Sequence, residues 1–322
     1  MKAAVVGAGV LGSIFGSLLA RGGFQVTLIE ILEERVRLIE REGLWLQMPG
    51  GERVHTRLAV TASAATLGHQ DLVMVCVKGY HTASAVGDAR PLVGPETLVL
   101  SVQNGLGNLE TIAETVGPER VVGGITAHSG MPVGMNEVRY VGGLGPLLVI
   151  GPYDGVARPA FGRLVEALRG AGLDVHAVAD INAVIWKKLI ANVATNCVAA
   201  LTGLTGGQAV HHAPTVALIR GLAGELAQVA RAKGIRLAEL DDPGAFALQA
   251  FAGTRDNKVS MLQDVEAGRP TEIGNLNEVI VAEGVRHGIP TPYNQAVSWL
   301  VRGVEERNRL RLAAMEAEGR RG

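Results

Sequence analysis

Lys188, Asn192 and Asn196 recur every fourth residue in a stretch that is otherwise apolar, among Ile185, Trp186, Leu189, Ile190, Val193 and Ala194. In an α-helix that spacing lines the three polar side chains along one face. A lysine and two asparagines on so apolar a segment need partners if they are buried. They could form a solvated stripe, a polar seam satisfied inside a core, or the wall of a cleft. The last reading carries chemistry. Burial favours a lysine's neutral form and moves its pKa towards the working pH. Such an ammonium can give up a proton in a transition state. Lys187 is a rival, but it lies about 100° round the helix from Lys188, off the line of the asparagines.

A second cluster follows at Ser260-Met261-Leu262-Gln263-Asp264, with Asn257 one helical turn earlier and Thr271-Glu272-Ile273 beyond. The Ser260 hydroxyl could bind a carboxylate. Glu272 is expected to open a helix, where a first-turn carboxylate often does no more than compensate the dipole, and Thr271 could be a simple N-cap.

The start of the chain supplies a different chemistry. Gly7-Ala8-Gly9-Val10-Leu11-Gly12 is G-x-G-x-x-G, directly after the apolar run Ala3-Ala4-Val5-Val6 and before the helical pattern Ser13 to Arg21. With 43 glycines in the chain the pattern alone is weak, and its context decides. A strand delivers the backbone into a turn free of side chains, and the next helix points its first N–H groups at a pyrophosphate. Glu30 closes the second strand, where a carboxylate can accept from adenosine ribose hydroxyls and would repel a 2′-phosphate. It therefore favours NADH over NADPH, although Arg35 could swing in and soften that preference. Lys78 follows the buried run Asp71 to Val77, and Asn104 follows Thr97 to Val102 in Gln103-Asn104-Gly105. Both lie at the sheet edge where open α/β folds bind ligands. Together these groups fit one reaction. Hydride transfer to a ketone leaves an alkoxide, a lysine ammonium protonates it, and Asn and Ser groups position a small acid.

The elements that must hold these residues divide into two halves. Up to Ala179, strand and helix patterns alternate. The strands are Ala3–Val6, Gln25–Glu30, Leu58–Val60, 71–77, Thr97–Val102, Val121–Ile125 and Asp174–Val178; the helices are Ser13–Arg21, Glu33–Glu42 and Pro159–Arg169. Glu137–Val141 and Leu147–Ile150 read as a small antiparallel addition. Right-handed crossovers then give a mostly parallel, doubly wound sheet, a Rossmann-type dinucleotide-binding domain over 1–179. From 180 to 322 the pattern is all helical, a substrate and dimerisation domain. Asp180 caps a helix through about Leu201, and further helices cover Thr215–Gly234, Asp242–Phe251, Glu272–His287 and Tyr293–Ala314. Ile273, Leu276, Val279, Ile280 and Val285 lie mostly on one face of the fourth, and Pro290 stops it. Gly203–Gly207 reads as a loop and the charged tail from Glu316 as frayed.

A length of 322 residues suits two domains. Thirty basic against 31 acidic side chains give a net charge of −1, which argues against nucleic acid or an anionic membrane surface as partner. No run reaches the length of a membrane span. Cys76 and Cys197 read as buried structural thiols, and no metal-ligand spacing involves them. The expected protein is cytoplasmic and acts on a small molecule. Its long apolar helices could pack within one subunit or between two, as in a homodimer.

Five segments in order resemble the ketopantoate reductase (2-dehydropantoate 2-reductase) family. They are Gly7 to Gly12, Val77-Lys78, Gln103-Asn104-Gly105, Trp186-Lys187-Lys188-Leu189 with Asn192 and Asn196, and 260–264 with Thr271-Glu272. The resemblance implies an active site in the cleft between a Rossmann domain and a helical domain. It implies Lys188 as general acid and Asn192, Asn196 and Ser260 as substrate holders, with Asn257 beside them. Asn104 would touch cofactor and substrate, Glu272 the cofactor and the lysine, and Lys78 the cofactor. The implied reaction is reduction of 2-dehydropantoate to (R)-pantoate, on the route to pantothenate and coenzyme A. Many family members carry an Arg near the end of the second strand and use NADPH, whereas this chain has Glu30. Two other functions fit the same residues: reduction of another branched 2-keto acid, and a nicotinamide-binding sensor without turnover. The polar set around Lys188 argues against the sensor.

Overall fold

A computed structural model describes residues 1–143, 145–253 and 258–319. The chain divides into two compact units, Met1–Gln103 with Gly107–Asn182, and Asn104–Leu106 with Ala183–Gly322. The division therefore falls at Asn182 rather than Ala179, and one short loop of the first half groups with the second unit.

The first unit opens with β1 (Lys2–Val6), α1 (Val10–Arg21), β2 (Gln25–Ile29), α2 (Glu33–Glu42), β3 (Leu44–Gln47), β4 (Arg53–Thr56), β5 (Ala59–Thr61) and β6 (Leu72–Val75). It continues with α3 (Thr82–Ala89), β7 (Leu98–Ser101), α4 (Asn108–Val116), β8 (Val121–Ile125), β9 (Ser129–Gly134), β10 (Glu137–Gly142), β11 (Leu148–Pro152), α5 (Pro159–Gly170) and β12 (Val175–Ala177). Eight strands form one sheet in the order β12-β11-β8-β7-β6-β1-β2-β5, parallel throughout except between β8 and β11. Every side chain of β6 and β7 is buried, as a strand covered on both faces requires, and hence the unbroken apolar runs. Chain order reverses on either side of β1, so the loops after β1, β6 and β7 open at the switch point of the sheet.

Glu137–Val141 and Leu147–Ile150 do not pair with each other. Strand β11 joins the main sheet, antiparallel to β8 and parallel to β12. Strand β10 belongs to a second sheet of order β4-β3-β10-β9, whose other members gave no recognised sequence signal. These strands are short and expose alternate residues, as in Arg53–Thr56, so they lack the dense apolar run of a central strand. Glu137 ties this sheet together, accepting from Gln47 Nε2 at 2.7 Å and from Arg53 Nε and Nη2 at 2.9 Å each.

The second unit contains α6 (Ile181–Thr202), α7 (Gly206–Ala209), α8 (Ala213–Ala232), α9 (Pro243–Ala252), α10 (Ser260–Glu266), α11 (Asn277–His287) and α12 (Pro292–Gly319). By length and composition α6 could cross a membrane, but two-thirds of that window (67%) is buried inside the protein, which accounts for its apolarity. Trp186, Leu189, Ile190 and Val193 of α6 pack with Leu222 and Leu226 of α8, Ile280 of α11 and Val297 and Val301 of α12.

Several helix boundaries differ from the sequence expectation. The segment 203–207 is not all loop: Thr205 closes a capping box with Gln208 and starts α7. The tail stays helical to Gly319. Glu272–His287 is not one helix. A 3₁₀ turn, Ile273–Asn275, is followed by Leu276 at φ −109°, ψ −88°, and α11 begins only at Asn277. Helix α11 ends at left-handed Gly288, before Pro290 can act. Val285, assigned to the apolar face, is 78% exposed. Cys197 is buried as expected, whereas Cys76 is only partly so.

Glu225 of α8 organises the interior of this unit. Its carboxylate accepts from the backbone N–H groups of Tyr293 (2.8 Å) and Asn294 (2.9 Å) at the start of α12, and from Asn294 Nδ2 at 2.7 Å. Asn294 Oδ1 in turn accepts from Asn277 Nδ2 at 3.0 Å, which also donates to the Val193 carbonyl of α6 at 3.0 Å. Removing that carboxylate strands buried donors. Glu225→Ala is expected to cost the helical unit about 2 kcal/mol. The check is a urea titration followed by far-ultraviolet circular dichroism; an unmoved midpoint would show no net contribution.

Candidate functional site

The glycine motif lies where β1 turns into α1. Gly7 has φ +92°, a left-handed conformation, and its N–H donates to the Ile29 carbonyl at 2.9 Å. A Cβ on Gly12 would stand 1.9 Å from the Gly7 carbonyl oxygen, so the turn closes only without one. A Cβ on Gly9 would meet nothing within 4 Å. The loop is therefore tight on its inner side and open on the outer. Gly9 is the N-cap of α1, has no side chain to occupy the first-turn N–H groups, and no acidic residue stands in that turn. An open, uncapped helix N-terminus beside bare backbone fits a dinucleotide's pyrophosphate. Gly7, Ala8, Gly9, Val10, Leu11 and Gly12 would hold it.

Glu30 follows β2 on the same side of the sheet. One carboxylate oxygen accepts from the Leu32 N–H at 3.0 Å, and the other is 3.6 Å from Arg35 Nε. Arg35 does swing in. Its Nη2 donates to Ser13 Oγ at 3.2 Å, and Ser13 Oγ donates to the Ala8 carbonyl within the glycine loop at 2.9 Å. Burial lowers the Arg35 pKa and the nearby Glu30 charge partly restores it. The carboxylate is thus held in place and partly neutralised.

Lys78 lies half-buried just past β6 and caps the 3₁₀ turn Gly79–His81. Gln103, beyond β7, fastens the two loops together: its Nε2 donates to the Val77 carbonyl (2.8 Å) and to Thr82 Oγ1 (2.7 Å). This role was not read from the sequence, because an amide's bonding partners are not encoded beside it. Cys76 sits next to the glycine loop, and burial pushes its thiol and that of Cys197 up to about 12, leaving both protonated at neutral pH.

The second unit gathers the other polar set. Lys188 Nζ donates to Asn104 Oδ1 at 2.8 Å, so the lysine of α6 and the asparagine of the loop after β7 meet. Burial lowers the Lys188 pKa from 10.5 to about 8, against the opposing pull of the Glu272 carboxylate. Glu272 is itself 7% exposed. Lys187 points elsewhere, into an ion pair with Glu239 at 2.6 Å and towards the Phe246 ring. Asn196 is buried and Asn192 partly so, and neither makes a side-chain hydrogen bond among the described residues. Ser260 is exposed at the first residue of α10. Asn257 lies outside the described residues. The second unit therefore brings together Lys188, Asn104 and Glu272, and leaves two asparagine amides of α6 available to a ligand.

With that arrangement in view, comparison with known proteins is informative. The model of "Ketopantoate reductase PanE/ApbA" matches residues 3–155, and its C-terminal counterpart matches 180–305. The chain belongs to the ketopantoate reductase family. A family relative from Halobacterium salinarum, named 2-dehydropantoate 2-reductase, is 33% identical over 94% of this chain and 98% of its own length. The crystal structure of a PanE/ApbA family ketopantoate reductase from Ralstonia eutropha superposes with a TM-score of 0.86 at 32% identity, covering 96% of this chain and 100% of that one. A ternary structure of D-mandelate dehydrogenase with NADH and anilino(oxo)acetate superposes with a TM-score of 0.88 at 25% identity, covering 96% and 99%.

The environment of Lys188 makes a direct prediction. With only six lysines in the chain, selective ¹³C labelling should resolve each side chain. One ε-carbon is expected to titrate near pH 8 and to be lost in Lys188→Met. Six lysines all titrating above pH 10 would contradict the burial described.

Proposed function

We propose that this protein is a nicotinamide-dependent 2-keto acid reductase that converts 2-dehydropantoate to (R)-pantoate, the cytoplasmic step leading towards pantothenate and coenzyme A. The observation that carries the proposal is the Lys188 ammonium, withdrawn from water and held on Asn104 Oδ1 beside Glu272. Family membership and the likeness to named 2-dehydropantoate 2-reductases support the substrate.

When bound, the coenzyme supplies the hydride that reduces the ketone carbon. Lys188 polarises the ketone oxygen and passes it a proton as the alkoxide develops, becoming a neutral amine that solvent reprotonates. Glu272 favours the ammonium and so keeps the acid loaded at neutral pH. Asn104 aims the ammonium. Asn192 and Asn196 would present amides to the substrate's hydroxyl and carboxylate, with Ser260 and Asn257 as further holders of the same acid. On the coenzyme side, residues 7–12 would cradle the pyrophosphate, Lys78 and Asn104 would contact the coenzyme, and Glu30 would accept from the ribose hydroxyls. A 2′-phosphate would meet the Glu30 carboxylate, so NADH is the preferred reductant; Arg35, paired to that carboxylate, moderates the preference without reversing it.

A second substrate reading has its own support. The dehydrogenase that superposes with a TM-score of 0.88 was captured with NADH and an aromatic oxo acid analogue. An assay with 2-dehydropantoate and a panel of branched and aromatic 2-keto acids, following NADH and NADPH separately, discriminates the two. A higher kcat/KM for an aromatic keto acid would replace the first reading, and no turnover with any would remove both.

Two variants test the assignments. Lys188→Ala is expected to lower kcat by roughly two to four orders of magnitude, the usual contribution of a general acid. A loss of less than fivefold would take the lysine out of the mechanism. Glu30→Arg is expected to shift the ratio of kcat/KM values towards NADPH by about tenfold or more. An unchanged ratio would mean that Glu30 does not face the ribose.

A further inference from the structure

Besides the Lys188 contact, the loop that carries Asn104 is gripped at Leu106. Leu106 N–H donates to the Asn275 carbonyl oxygen at 2.9 Å, and Asn275 Nδ2 donates back to the Leu106 carbonyl at 2.9 Å. This two-way grip resembles one rung of a sheet, with a side-chain amide standing in for the second strand's N–H. The fit is close. Gly105, at φ +84°, has no room for a side chain, since a Cβ there would lie 2.1 Å from the same Asn275 oxygen. Leu106 then packs against the helical core.

The grip exists because the expected helix breaks. In a helix continuous from Glu272 to His287, the Asn275 carbonyl would accept from the N–H four residues on. The 3₁₀ turn at Ile273–Asn275 and the Leu276 backbone at ψ −88° turn that carbonyl to Leu106 instead. The same turn begins at Glu272, whose carbonyl accepts from the Asn275 N–H at 3.1 Å. Asn275 therefore touches both arms of the lysine's environment, the loop bearing Asn104 and the residue bearing the Glu272 carboxylate.

We propose that Asn275 is a positioning residue for the reduction, holding Asn104 against Lys188 by clasping Leu106. It touches none of the reacting atoms and acts through Asn104. This rests on the proposed reductase activity for its kinetic consequence, though not for its structural one. Releasing the clasp lets the loop drift and water reach the ammonium. Burial is the larger influence on Lys188, and Glu272 is the charged group that opposes it, so wetting the site moves the lysine's pKa up towards its ordinary value.

The test is a double-mutant cycle with a spectroscopic arm on the full chain. Asn275→Ala is expected to lower kcat/KM for the keto acid by roughly tenfold, the scale of a small misplacement of a catalytic group. In an Asn104→Ala background the same substitution is expected to add less than about twofold, because its route is already cut. Losses that multiply independently would overturn the proposal. In the ¹³C-lysine titration the Lys188 midpoint is expected to rise in Asn275→Ala, and an unmoved midpoint would also overturn it. That arm needs no turnover, so failure of the reductase reading, shown by an inert wild type, stays separate from failure of the clasp. Asn275→Asp is the second variant. It preserves shape but sets a carboxylate oxygen against the Leu106 carbonyl, and should reproduce both effects if alanine proves too unstable to purify.

Discussion

An ammonium withdrawn from water forfeits several kcal/mol of hydration, and a protein keeps it charged only by supplying other partners. Much of the helical unit follows from that constraint. Lys188 sits on a long, apolar and largely buried helix, and the drop from 10.5 to about 8 means that its surroundings still favour the neutral amine by roughly 3 kcal/mol relative to water. Asn104 and Glu272 do not cancel the cost of burial. They reduce it to the point where the ammonium survives at neutral pH yet releases its proton readily. A fully compensated lysine would be a poor acid, and an uncompensated one would be neutral before the reaction began.

The nucleotide unit obeys a different constraint, that of backbone proximity. Here the requirement is negative: no side chain at Gly7, Gly9 or Gly12, and no cap on α1. That explains why this half was so legible. Three glycines among six consecutive residues write that prohibition into the sequence itself, and the flanking strand and helix are adjacent in the chain. Lys188, Asn192 and Asn196 were legible for a similar reason, since one helix fixes their common face. Glu30 was legible as a strand-end carboxylate, but its pairing with Arg35 was open until the α2 backbone was placed.

What could not be read shares a physical property. The Asn275 grip on Leu106 spans 169 residues, and no periodicity connects two segments so far apart. Three strands of the second sheet, Leu44–Gln47, Arg53–Thr56 and Ser129–Gly134, are only four to six residues long, too short for patterning to distinguish from loops. Ile273, Leu276 and Ile280 are all buried, as one apolar face of a helix running on from Glu272 requires. Their burial survives the break at Leu276, and hydrophobic pattern alone therefore cannot show it.

That break bears on how the two constraints are reconciled. Apolar periodicity favours an uninterrupted helix, against the weak helix formers Gly274, Asn275 and Asn277, and the chain departs from that pattern beside the buried lysine. Departures from local preference persist when surrounding interactions over-determine them, and they concentrate where function needs an unusual geometry. Here the interactions that repay the departure can be named: the two hydrogen bonds to Leu106, burial of Leu106 and Leu276, and the Asn277 amide on the Val193 carbonyl where α11 restarts. A continuous helix would direct the Asn275 carbonyl along its own axis and leave the Asn104 loop without its grip. The Asn104 amide oxygen would then no longer be fixed where it meets the ammonium. The irregular turn at 273–276 is thus the structural condition under which a loop that follows a strand of the nucleotide-binding sheet becomes part of the lysine's environment.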